Sequence, residues 1–189
     1  MNIPSYAYRA GLPGEIACER AGAKMVVEPF FDRERSEQYF QVDGFARDLA
    51  ILYVRVENKS MDTSYLLQKD GIRLIFSTNV FSGTQTLKEN SGVSDAVMLT
   101  GAALVSLPLL FIGGGMNTHV ERVQHNFAIK ELRTQSVAPN SVAEGFVYFQ
   151  MAKKPIAGAS MLLTVPLVNT LQGQTNEMQL NITYERTKR

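Results

Sequence analysis

Two histidines, one cysteine and a run of three glycines are the residues of this chain whose types could do chemistry. His119 and His125 lie six positions apart, with Glu121 beside the first. On a helix advancing about 100° per residue, that spacing sets the two imidazoles roughly 120° apart around the axis, so they do not share a metal as an i, i+4 pair could. They are expected as solvated helix residues. The glycines at 113 to 115 are not followed by Lys-Ser/Thr and do not open from a strand, as a phosphate-cradling loop would. No G-x-S-x-G frames a serine nucleophile. The charges from Asp32 to Glu37 belong to a short helix facing water. No catalytic residue, metal ligand or cofactor is assigned, and the chain is expected not to be an enzyme.

Composition narrows the partners. The 189 residues are 45% hydrophobic and 20% charged, values of an ordinary folded protein large enough for one sizeable core. Nineteen Lys and Arg against 18 Asp and Glu give a net charge of +1, so the field that gathers a polyanion is missing and nucleic acid is not expected. Cys18 alone excludes an internal disulfide and any multi-cysteine metal cluster. Ile-Ala-Cys at 16 to 18 has the form of a lipid-attachment site, but Glu15 stands where an apolar residue is wanted. The opening MNIPSYAYRAGLPGEI lacks the basic start and apolar core of a secretory signal.

The elements that must position any site are mostly strands. Residues 1 to 22 carry no period and read as an irregular arm, and 23 to 189 read as a single β-sandwich domain. Strands are predicted at Ala23 to Glu28, Ala50 to Val56, Ser64 to Leu67 and Ile72 to Phe76. Asp32 is the expected cap of the short helix. Three more strands are predicted at Glu144 to Met151, Ala159 to Val165 and Glu177 to Tyr184, the last with Met178, Leu180, Ile182 and Tyr184 on one side. About seven strands with turns between them suggest an immunoglobulin-like antiparallel sandwich, although the usual Cys, Trp, Cys core is absent. Phe146, Tyr148 and Phe149 are expected as two core rings and one ring at a sheet edge or in solvent.

Between these halves runs AVMLTGAALVSLPLLFIGG, Ala96 to Gly114, free of charge and near the roughly 18 to 20 residues that span a bilayer. A single crossing would put the two halves of the sandwich on opposite sides of the membrane. Pro108 and the glycines instead divide the run into short pieces that leave and return, within a helical insertion at 94 to 133. After the run, Asn117 or Thr118 would cap a helix with Met116, Val120, Val123 and Phe127 on one stripe. The run is then either a core helix packed over the sandwich or, if exposed, a large apolar patch built from Leu104, Leu107, Leu109, Leu110 and Phe111.

LYVRVENKS at 52 to 60 and KELRTQSVAPNSVAEGFVYFQ at 130 to 150 together resemble uncharacterised bacterial envelope proteins, often lipoproteins, with an immunoglobulin-like domain. Gly145, Phe146, Tyr148 and Phe149 match that pattern, while Asn140 stands where the pattern has glycine after Pro139. The resemblance implies a bacterial cell-envelope protein, periplasmic or membrane-associated, and carries over no catalytic residue. The expected function is a non-catalytic interaction domain that contacts a protein partner or a membrane surface through Leu104, Leu107, Leu109, Leu110 and Phe111. The alternative is a carrier of an apolar small molecule or lipid bound between insertion and sheet. Oligomeric state is left open.

Overall fold

The computed structural model describes residues 6–11, 14–42, 49–77, 79–83, 118–151 and 155–184. The run from 96 to 114, with Leu104, Leu107, Leu109, Leu110 and Phe111, lies outside the described residues. So do Met116 and Asn117.

The protein is mainly β, with two antiparallel sheets and few helices. One sheet has the order β1-β2-β3-β8, formed by Ile16–Arg20, Ala23–Pro29, Leu49–Asn58 and Val142–Gln150. In the other, β9 (Ser160–Asn169) pairs along one edge with β10 (Thr175–Thr183). Along its other edge it pairs with both β4 (Tyr65–Leu67) and β5 (Arg73–Phe76). β6 (Asn79–Ser82) extends this sheet beyond β5, and β7 (Gln135–Val137) extends it beyond β4. The described residues thus hold ten strands where about seven are predicted.

The extra strands have local causes. β1 lies inside the expected irregular arm because Ala21 (φ 50°) and Gly22 (φ 75°) form a two-residue hairpin turn with positive φ at both positions, pairing Arg20 with Ala23. An Ala-Gly pair is a weaker turn signal than Asn-Gly. β6 and β7 are too short to show a period. β9 runs through Pro166 rather than stopping at Val165, and the absence of that N–H is absorbed on one edge. Thr170 N–H donates to Ser64 O, and strand alternation places residue 166 on the same edge. Opposite Pro166 the neighbouring chain leaves the ladder in a 3₁₀ turn, Lys69–Gly71, which separates β4 from β5. This turn, between the predicted strands Ser64 to Leu67 and Ile72 to Phe76, joins two strands that share β9 as a neighbour and do not form a hairpin.

The main core lies between the sheets. Met25, Val27, Leu52, Val54, Val147 and Phe149 from one sheet meet Leu67, Leu74, Leu163, Val165, Leu180 and Ile182 from the other. Met178, Leu180, Ile182 and Tyr184 are all buried, as their alternation predicts. A second apolar layer covers the far side of the four-stranded sheet. There α1 (Arg33–Phe40) and α2 (Thr118–Lys130) bury Phe40, Val123 and Phe127 against Ile51 and Tyr148. Asp32 caps α1 by accepting from the Arg35 N–H at 3.1 Å, and Gln41 ends it with a φ of 60°. Phe146, Tyr148 and Phe149 are all buried, so no ring of the three faces solvent. Strand alternation sends Phe149 between the sheets and sends Phe146 and Tyr148 to the far side, where the helices cover them.

Candidate functional site

The far side of the four-stranded sheet carries an aromatic cradle. Its floor is a cross-strand row, Glu28 on β2 opposite Tyr53 on β3, and Tyr53 opposite Phe146 on β8. One wall is Phe30, which continues from β2, and another is Tyr39 of α1. Edge-to-face contacts order these rings: Phe30 and Phe146 centroids are 5.0 Å apart, and Tyr53 and Phe146 are 5.3 Å apart. Glu28 is only 1% exposed, which would be costly for an unpaired carboxylate. It is paired, because α1 turns Arg35 back so that its guanidinium donates to Glu28 Oε1 while lying 4.1 Å from the Phe30 ring centroid.

Into this cradle the arm inserts Tyr6. Its ring lies 4.6 Å from Tyr53, 5.3 Å from Phe30, and 5.4 Å from both Tyr39 and Phe146, and its hydroxyl donates to Glu28 Oε2. Burial first, then the hydrogen bond to Glu28, push the Tyr6 phenol well above the usual tyrosine range. Two residues on, Tyr8 stacks against Tyr53 at 6.0 Å and lies under the Arg55 guanidinium at 4.7 Å. Arg55 belongs to the next cross-strand row, where it pairs with Glu144 and also with Glu57 at 3.0 Å. Tyr53 makes no hydrogen bond of ordinary geometry through its buried hydroxyl, and burial, followed by the neighbouring Glu144 carboxylate, raises its phenol also.

At the far end of the layer Tyr148 donates to Phe127 O at 3.0 Å, tying β8 to α2. Lys130, at the end of α2, donates to the Tyr39 carbonyl 5.1 Å from the Phe40 ring centroid, and burial lowers its ammonium to about 8. These contacts lock both helices onto the sheet beside the arm.

The residues singled out in the sequence meet a mixed fate. His125 is exposed on α2, and the side chain of His119 lies outside the described residues. Cys18 is half-buried in β1 opposite Met25 and packs against the main core. Among the described residues, no group of three or more His, Cys, Asp and Glu is placed to hold a metal ion. Among them, too, no helix is long and apolar enough to cross a membrane. The cradle has no compact sequence signature, because its parts are scattered from residue 6 to residue 146. Its two local signals are a glutamate directly after the apolar Met25-Val26-Val27 and the Tyr-Ala-Tyr of residues 6 to 8.

Comparison with known proteins adds a distant likeness. No protein-family model matches the chain, and no curated protein matches it. Two solved structures are similar in outline. One is the lipoprotein candidate ycdA of Bacillus subtilis, with a TM-score of 0.45 and 12% identity over 90% of this chain; the match spans 38% of that protein's length. The other is a DUF4426 family protein of Pseudomonas aeruginosa, with a TM-score of 0.41 and 7% identity over 93% of this chain and 98% of that one.

Proposed function

We propose that this chain is a non-catalytic, immunoglobulin-like interaction module of a bacterial cell envelope, contacting a protein partner or a membrane surface through the apolar run at 96 to 114. The observation that supports this reading is the pairing of strands from both sides of that run: β3 with β8, β4 with β7, and β4 and β5 with β9. A single bilayer crossing between residues 83 and 118 would separate these partners, which supports the reading of the run as an insertion and not a single span. The described residues before and after the run are held to the sheets. Gly83 N–H donates to Ile72 O on one side, and α2 is packed on the four-stranded sheet through Val123 and Phe127 on the other. The envelope assignment rests on the resemblance of residues 52 to 60 and 130 to 150.

Sedimentation with anionic and zwitterionic vesicles tests the membrane contact, comparing the intact chain with one in which residues 96–115 are replaced by a polar linker. Vesicle binding lost in the linker variant is expected. Negligible binding by both folded chains removes the membrane contact and leaves the protein partner, to be sought by crosslinking from positions 104 and 111.

A further inference from the structure

The cradle holds Tyr6 in a way that packing alone does not require. A phenylalanine or leucine would fill the space between Phe30, Tyr39, Tyr53 and Phe146 without a buried carboxylate beneath it. Glu28, 1% exposed, has one oxygen held by Arg35 and the other aimed at a phenol. Such an arrangement discriminates a hydroxyphenyl ring from a plain one, since a ring without the hydroxyl leaves a buried acceptor unpaired. The second position is also specified. Successive same-face residues on β3, Tyr53 and Arg55, are separated by about 7 Å of strand, which is the span of two extended residues, and Tyr6 and Tyr8 sit over them in that order. Ala7 between them is exposed.

The arm is held by side chains. Among the described residues, the backbone of the segment that carries Tyr6 and Tyr8, residues 6–11, makes one hydrogen bond outside itself, Gly11 N–H to Glu15 Oε2 at 2.9 Å, and no ladder with any strand. A segment fixed in this manner detaches at lower cost than a paired strand.

From this geometry we propose that the cradle is a recognition site for an extended Tyr-x-Tyr segment of a partner polypeptide, with the chain's own arm as its resident occupant. The arm acts as an intramolecular competitor: a partner segment binds by displacing Tyr6 and Tyr8, so the site is read only when the partner outcompetes a tethered copy of the same motif. The proposal is independent of the contact assigned to residues 96 to 114, and its assay contains no membrane.

The test uses the full chain carrying Tyr6→Ala and Tyr8→Ala, which vacates the cradle, and a fluorescein-labelled synthetic peptide of residues 5–10, SYAYRA. Fluorescence anisotropy is expected to show saturable binding to the variant at least about tenfold tighter than to the wild type, whose cradle is occupied. Replacing the first peptide tyrosine by phenylalanine weakens binding about tenfold, as does Glu28→Gln added to the vacated variant. Should the double variant not fold, as judged by its thermal transition, Tyr6→Ala alone serves in its place. The proposal is overturned if the folded, vacated chain gives no saturable binding. It is equally overturned if wild type and variant bind alike, or if phenylalanine and tyrosine peptides bind alike.

Discussion

Asn58 shows how one side chain can carry a motif. It is 1% exposed, and its amide donates to Thr63 O at 2.7 Å and to Val137 O at 3.0 Å, while its oxygen accepts from the Ser60 N–H at 3.0 Å and the Ser60 hydroxyl at 2.6 Å. All four of its amide hydrogen-bonding positions are used, and they bind the end of β3 to β7 in the other sheet. Asn58 and Ser60 of the ENKS segment are therefore architectural residues. Asn58→Ala leaves the buried Val137 carbonyl without this donor, while Thr63 O keeps the Ser60 hydroxyl, and is expected to cost about 1 to 3 kcal/mol, read from urea unfolding. A loss below about 0.5 kcal/mol would show that water replaces the amide. The neighbouring departure from the resembled pattern also has a backbone cause. Asn140 has a φ of 56°, a conformation natural to glycine that asparagine tolerates better than most residues.

At the scale of elements, the order of legibility follows the strength of the local pattern. β3 and β10 were evident from their aliphatic content and their alternation, and α1 from its Asp32 cap, because each signal is contained within a few residues. β1, β6 and β7 depend on a hairpin turn or on partners far along the chain, so no window of sequence displays them. The cradle was illegible for the same reason, since Glu28 acquires its meaning only when Arg35 folds back and Tyr6 arrives from the arm. Gly145 lies between these cases. Its place in the GFVYF stretch is visible in the sequence, but its reason is tertiary: a Cβ there would stand 2.7 Å from both the N and the Cα of Leu132. The chain leaving α2 passes against β8 at this point, where Leu132 N–H donates to Phe146 O at 2.8 Å. Gly145→Ala must push backbone against backbone and is expected to destabilise by about 2 kcal/mol or more, while Gly158→Ala, where a Cβ has open space but φ is 82°, should cost only about 1 kcal/mol. Comparison of their thermal transitions checks this. Equal shifts would mean that the 131–132 crossing is not close.

For the whole molecule, the distribution of tyrosines sets the alkaline limit of stability. Five of the seven, Tyr6, Tyr8, Tyr39, Tyr53 and Tyr148, lie on the far side of the four-stranded sheet, and burial is the first cause that raises four of them, Tyr6, Tyr8, Tyr53 and Tyr148. Above the unfolded value of about 10, an unfolded chain loses phenolic protons that the folded chain keeps. The folded state then binds more protons than the unfolded one, so stability falls as pH rises, and below pH 10 the contribution is present in full. Tyr53 and Tyr148, 3% and 2% exposed, each steepen this fall by about 1.4 kcal/mol per pH unit; Tyr6 and Tyr8, being partly exposed, add less. Phenolate absorbance from these four should therefore rise cooperatively, in the same pH range as the loss of far-ultraviolet dichroism that marks unfolding. Tyr148→Phe lowers stability at neutral pH by removing the bond to Phe127 O, yet flattens the alkaline limb by one proton. Phenolate absorbance from these four appearing near pH 10, with near-ultraviolet dichroism lost but the far-ultraviolet strand signal kept, would show that helices and arm lift from the sheet without unfolding it. In that case the layer that holds the cradle, and not the sandwich beneath it, would be the part of the molecule that opens.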